Sequence, residues 1–208
     1  MTRERILQSA ITLFARYGLR GVSVDTICHS VGIAKKTYYT LYDSKDELVE
    51  DFVETTFAEF FHFIQQSSRE IDAVKRLNTF DEKLMTILRV FNLSIVADLK
   101  RNHEKAFRAF MNHRSALAAC LAAVIEYGKR QGTFRNTIDS SVLAELRLLE
   151  IEMLFSAPPQ TPFSDLHNNH EQLFEHYVAG LLADVKGSSY LTTNVPDELT
   201  RSVKTSCA

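Results

Sequence analysis

No apolar run in these 208 residues approaches the roughly 20 that a membrane-spanning helix requires. The opening MetThrArgGluArgIle leads straight into an amphipathic pattern without the apolar core of a signal peptide, so the expected location is the cytoplasm, with no membrane partner. Cysteine is scarce as well. Cys28, Cys120 and Cys207 are an odd number without metal-ligand spacing, which argues against a disulfide framework. Cys28 and Cys120 stand among apolar neighbours and read as small core residues, a redox sensor being the lesser alternative. Signatures of catalysis are missing: there is no phosphate-binding glycine-rich loop, no GxSxG and no HExxH. Cys120 and His113 lie seven residues apart on one predicted helix, a separation of roughly 10.5 Å that denies a nucleophile its base. His167, His170, His176 and Asp165 resemble a ligand set in type, but they straddle a loop and a helix start, and exposed or capping histidines are the better reading. Neither an enzyme nor a metal or cofactor site is expected.

What is present is concentrated between Val22 and Leu48, VSVDTICHSVGIAKKTYYTLYDSKDEL. Ser23 suits the N-cap of a short helix running through Thr26 and Ile27 to His29. Gly32 supplies the left-handed conformation that a sharp inter-helix turn needs, and Ile33 can plug the corner. AlaLysLysThrTyrTyr, residues 34 to 39, then opens a second helix with two cations and a hydroxyl in its first turn, the end that enters a major groove in helix-turn-helix docking. Before this unit, Ile6, Ala10, Leu13, Phe14 and Tyr17 recur at helical spacing over Thr2 to Tyr17, with Gly18 as the stop. After it, Ser44 with Glu47 forms a capping box for a long helix from Lys45 to about Ser68. Charge is divided in the same way. Through Asp46 there are seven Lys or Arg against four carboxylates, +3, which leaves −5 on the rest of a chain whose net charge is −2. That asymmetry fits a protein that offers one end to a polyanion.

The ordered set LeuPheAlaArgTyrGly at 13 to 18, the spacing of Val24, Ile27 and Gly32, the pair Tyr39 and Tyr42, and SerLysAspGluLeu at 44 to 48 resembles a tetracycline-repressor-type (TetR/AcrR) transcription regulator. GlyThrPheArgAsnThrIleAsp, 132 to 139, resembles the family's corner before its last two large helices and extends the resemblance to about residue 185. It implies an all-α fold: a three-helix DNA-binding head over 1–46, a larger helical effector-binding and dimerisation body over 47–186, and a loose tail over 187–208. Predicted body helices follow the linker at Phe80–Asp98, Asn102–Met111, His113–Gln131, Ser141–Ser156 and about His170–Val185, the last two separated by AlaProProGlnThrPro at 157 to 162.

The resemblance also implies roles. Ser23, Lys35, Tyr39 and Lys45 match phosphate-facing positions, while Lys36, Thr37, Tyr38 and Thr40 are candidates for base edges. Tyr42 stands where the family usually has Phe and reads as packing. Three departures bear on the operator: Ala34 replaces a usual Ser or Thr, Lys36 a small residue, and Leu41 a His or Tyr. In the body, Phe60, Phe63, Met85, Phe91, Phe107, Phe110, Met111, Tyr127 and Met153 are candidate lining for an apolar or aromatic effector, although core packing accounts for them equally well. Val142, Leu146, Leu149 and Met153, with Leu173, Phe174, Tyr177 and Leu181, form rows suited to a four-helix seam between two copies. The expectation is a homodimeric repressor that leaves a near-palindromic double-stranded operator when a small molecule binds. The alternative is a co-regulator of the same architecture that binds a partner protein, with Lys35, Tyr39 and Lys45 as the residues that discriminate.

Overall fold

The computed structural model describes residues 2–67, 70–137, 139–154 and 163–182 and is all-α. The helices in chain order are α1 (Thr2–Gly21), α2 (Val24–Val31), α3 (Lys35–Tyr39), α4 (Lys45–Ser67), α5 (Ala73–Val90), α6 (Leu93–Asn102), α7 (Glu104–Arg130), α8 (Ser140–Leu154) and α9 (Phe163–Leu181). Helix α1 is interrupted where a stop was expected, at Gly18. In the head α1 packs on α2, and α2 on α3. Helix α4 begins at the last residues of the head and continues into the body, where it lies against α5 and α7. Because α1 also touches α4, α5 and α6, the head is seated on the body and not tethered by α4 alone.

Local signals account for the boundaries that sequence reading placed well. Ser23 Oγ accepts from Thr26 N at 3.1 Å, and Gly32 closes α2 at φ +72° with its N–H directed to His29 O. Ser44 Oγ accepts from Glu47 N, while the Glu47 carboxylate reaches back to Asp43 N at 2.6 Å. Three expectations are corrected in the body. The stretch from Phe80 to Asp98 is not one helix: α5 ends at Val90, and the Asn92 side chain accepts from Ile95 N to start α6. Asn102–Met111 and His113–Gln131 are not two helices. Helix α7 runs unbroken through Asn112, since no proline or glycine stands there to end it. Helix α9 starts at Phe163, one to two turns earlier than expected. The 157–162 break and the 187–208 tail lie outside the described residues.

A band of phenylalanines fills the body. Phe57 stacks on Phe91 at 5.2 Å between centroids, Phe91 meets Phe52 and Phe110, and Phe60 meets Phe80 edge-on. The corner after α7 is set by Phe134, which folds back onto Gly128; its N–H donates to the Gly128 carbonyl at 3.1 Å. A Cβ at 128 would stand 2.0 Å from the Phe134 ring. Gly128→Ala is therefore expected to lower stability by roughly 1–3 kcal/mol through overpacking, measured by urea unfolding. An unchanged midpoint would show that the corner repacks freely.

Beneath α8 and α9 lies a polar cluster. Arg147, 1% exposed, holds Asp81 of α5 through two hydrogen bonds of 2.9 and 3.1 Å and reaches Glu150 at 2.7 Å. His170 of α9 completes it, Nε2 lying 2.8 Å from Asp81 and 2.9 Å from Arg147 Nη2. This corrects the reading of His170 as an exposed or capping residue; His176 is exposed. Burial pushes the thiols of Cys28 and Cys120 up, which fits small packing residues in place of reactive ones.

Candidate nucleic-acid interface

The placement of α3 follows from what holds its neighbours. Helix α1 braces the unit from behind: Arg5 donates to Val31 O at the end of α2, and Ser9 pairs with Ser30. At the other end Arg3 lies 4.4 Å over the Tyr42 ring and bonds Asp51 of α4, which also accepts from Tyr42 Oη at 2.7 Å. Tyr42 is buried, as its reading as a packing residue required. Tyr38 is buried with it, stacked on Tyr42 at 5.6 Å and donating its hydroxyl to Ser44 O. Burial pushes its phenol up to about 12. Tyr38 is therefore corrected from a base reader to the pin that fixes α3 on the start of α4.

With Tyr38 turned inward, the outer face of α3 presents Lys35, Lys36, Thr37, Tyr39 and Thr40, all exposed, Tyr39 at 52%. Lys35 meets Asp25 at 2.7 Å, but both partners are exposed, so solvent and salt keep that pair weak enough to be exchanged for a phosphate. Ser23 lies exposed at the start of α2, where free amides and the helix dipole favour an anion. Ala34 begins α3 without a side-chain cap, the consequence of the departure noted at that position. Lys45 differs from the other phosphate candidates. Its ammonium donates to Leu19 O at the end of α1, beside the Phe14 ring, and burial pushes its pKa down. In this arrangement it joins α1 to α4, and an anion would have to draw it out. Arg3 and Arg5, which sequence reading left unassigned, serve as braces; their partners lie 26 to 48 residues away.

The effector candidates line neither of two cavities seen among the described residues. Phe60, Met85, Phe91 and Phe110 are packed into the core, Phe107 and Tyr127 are half-buried, and Phe63, Met111 and Met153 are exposed. Tyr127 donates to Ile71 O and lies under Arg76. The void between α4, α5 and α7, bounded by Ile64, Phe80 and Val124, is only about 20 Å³. A cleft of about 570 Å³ instead opens at the head–body junction, between Asp43–Glu50 and Asn102–Ala106, with polar walls that sequence reading did not anticipate.

The candidate dimer rows divide. Val142, Leu146 and Leu149 are 52, 55 and 49% exposed, and Met153 is 74% exposed. Spaced four, three and four residues apart, they share one outward stripe of α8. Met153 therefore belongs to this face and not to the interior of the body. On α9, Leu173 is half-buried. Leu181 is corrected to the monomer core, and Phe174 and Tyr177 are occupied by the Arg147 guanidinium at 5.0 and 5.6 Å, Tyr177 also donating to Leu143 O.

Residues 6–52 match the family described as bacterial regulatory proteins, tetR family. The biofilm operon icaADBC negative transcriptional regulator IcaR of Staphylococcus epidermidis is 33% identical over 78 residues, 38% of this chain and 42% of that protein. This match thus spans about two fifths of the relative's length. The HTH-type transcriptional regulator YvaF of Bacillus subtilis is 26% identical over 82% of this chain and 88% of its own length. Among solved structures, a TetR-family regulator of Agrobacterium tumefaciens superposes with a TM-score of 0.73 at 20% identity, covering 88% of this chain and 98% of that one. A transcriptional regulator of Saccharomonospora viridis, solved in complex with choline, gives 0.74 at 20% identity over the same shares.

Proposed function

We propose that this chain, whose residues 6–52 match the tetR family of bacterial regulatory proteins, is a cytoplasmic, homodimeric TetR-type repressor that reads a near-palindromic operator through α3 and releases it when a small apolar or aromatic molecule enters the body. The observation that carries this reading is the uncovered outer face of α3, where Lys35, Lys36, Thr37, Tyr39 and Thr40 are exposed together on a helix pinned from behind by Tyr38. In such docking, Lys35, Tyr39 and Ser23 hold phosphates while Lys36 reaches guanine O6 or N7 and the threonines meet bases or a thymine methyl. The negative regulator IcaR supports repression over activation. An effector would have to part the Phe57, Phe91 and Phe110 rings, which favours a ligand that replaces aromatic contacts with its own. No catalysis is assigned.

The test is a selection of bound duplexes from a randomised pool, followed by fluorescence anisotropy at two salt concentrations. Selective binding with a steep salt slope is expected. Lys36→Ala is expected to relax preference at the base it contacts, at a cost of about 1–3 kcal/mol. Tyr39→Ala should instead weaken all sequences alike. Unchanged preference in a selection with Lys36→Ala would remove that residue from base reading. A selection that recovers no site, with no binding at low salt, would replace the operator by a partner protein.

A further inference from the structure

Helix α4 is the lever between head and body. Its first residue, Lys45, meets the end of α1, and further along Phe57 and Phe60 pack on Phe110 of α7 and Phe80 of α5. Among the described residues, two ion pairs join α4 to α7 and its N-cap, and in both the cation is a histidine. His103 Nδ1 stands 2.8 Å from Asp46 Oδ1, and His113 Nε2 stands 2.9 Å from Glu54 Oε2. The neighbouring ties use arginine: Arg3 to Asp51 between α1 and α4, and Arg114 to Glu145 and Glu152 between α7 and α8. A guanidinium keeps its charge throughout the physiological range, whereas an imidazole changes charge within it.

At His113 a neutral ring can still donate to Glu54 and protonation adds a charge to that bond, whereas at His103 no hydrogen bond is formed and the contact depends more directly on the proton. His103 sits at the α6–α7 corner with its side chain 11% exposed, and Nδ1 is buried, close to Asp46 but without a hydrogen-bond partner. A bare Nδ1 there faces a carboxylate with its lone pair; a protonated one faces it with a charge. His113 is held flat on Phe57 at 4.7 Å and 13°, so its ring stays aimed at Glu54. Asp46 and Glu54 are eight residues apart, roughly 12 Å along α4, which makes the attachment two-point and resistant to tilting. The cleft beside His103 leaves room for the first turn of α4 to swing away. The charged groups around His103 are Asp43 just before α4, Asp46, Glu47 and Glu50 from the start of α4, Glu104 and Lys105 from α7, and Lys45 with Asp98 of α6 close by. His113 faces Glu54 from α4, and Arg114 beside it is engaged with α8. Carboxylates and lysines ordinarily titrate outside pH 5.5–8, and Lys45, which burial pushes down, is common to the parent and the variants compared below.

We infer that the α4–α7 seam is a proton-operated latch: imidazolium at His103 and His113 closes both pairs and holds the head in the arrangement seen here. Loss of the charge weakens both pairs and loosens the first turns of α4 from α7. A head held in place loses less freedom on docking, so acid raises DNA affinity; that consequence alone rests on the operator reading.

The experiment compares the full chain with H103Q/H113Q by thermal unfolding at pH 5.5 and 8.0, the remaining histidines being common to both. The variant is expected to melt below the parent by about 3 °C more at pH 5.5 than at pH 8.0. D46N/E54Q, which leaves both rings in place, should reproduce that difference. A deficit equal at the two pH values in both variants overturns the latch whatever happens with DNA. Anisotropy with the selected duplex should show the parent gaining at least threefold more affinity than H103Q/H113Q between pH 8.0 and 5.5. Equal gains would overturn the coupling to the head. If no duplex binds at either pH while the thermal difference holds, the latch stands and the operator reading is what fails.

Discussion

Asp81→Ala is expected to lower stability by about 3–5 kcal/mol, because it leaves the Arg147 guanidinium buried without its bidentate partner. The magnitude follows from position. Arg147 and Asp81 have side chains 1 and 5% exposed, so solvent cannot stand in for the missing carboxylate. Glu150 remains 2.7 Å from Nη1, but it is partly exposed and engages only one edge of the fork. His170 is a poor substitute, since its Nε2 can accept from Arg147 only while unprotonated. The loss is read as a shifted urea midpoint or as a fall of roughly 10 °C in Tm for a chain of this size. A buried pair also differs from a single buried charge: replacing both partners, as in Arg147→Met with Asp81→Leu, should return most of the stability. If the double variant is no more stable than Asp81→Ala, packing of the guanidinium between Phe174 and Tyr177 is the larger contribution, and the electrostatic account fails.

The same cluster shows why sequence reading succeeded in the head and faltered in the body. Ser23, Gly32, Ser44 and Glu47 act on backbone groups within four residues of themselves, so the chain announces α2, the turn and the start of α4 locally. Arg147 takes partners 66 and 23 residues away, and nothing near it in the sequence distinguishes it from a solvated charge. The break expected at Asn112, beside His113 and Arg114, failed for a similar reason. Their partners are on α4 and α8, and the helix passes through them unbroken. Two misreadings were avoidable. Asn92 is an ordinary N-cap that the apolar run around it obscured. Tyr38 and Tyr42, four apart, had to share a side; once Tyr42 was taken as packing, Tyr38 belonged with it. The effector lining was the least legible part, because a phenylalanine in a closed core and one in a cavity wall carry the same pattern.

Leu146→Glu with Leu149→Glu is expected to convert a dimer to a monomer and weaken operator binding by 10²–10⁴-fold, on the order of 3–5 kcal/mol, while leaving the fold intact. Both residues are about half-exposed on the isolated chain, so the carboxylates would remain hydrated in the monomer and cost little there. Against a second copy of the same stripe each would be buried opposite its own kind, since a two-fold seam places one surface on itself. Two leucines with Val142 and Met153 also make an apolar row longer than a monomeric helix ordinarily leaves open. The effect on DNA is larger than that on any single contact: a monomer engages one half-site, and the second head no longer docks at the high effective concentration that the first provides. Sedimentation equilibrium measures the first consequence and anisotropy with the selected duplex the second, with circular dichroism to check that the helices persist. A variant that remains dimeric would remove the α8 stripe from the seam. A variant that is monomeric yet binds the full site as tightly as the parent would show that the two half-sites are not read together.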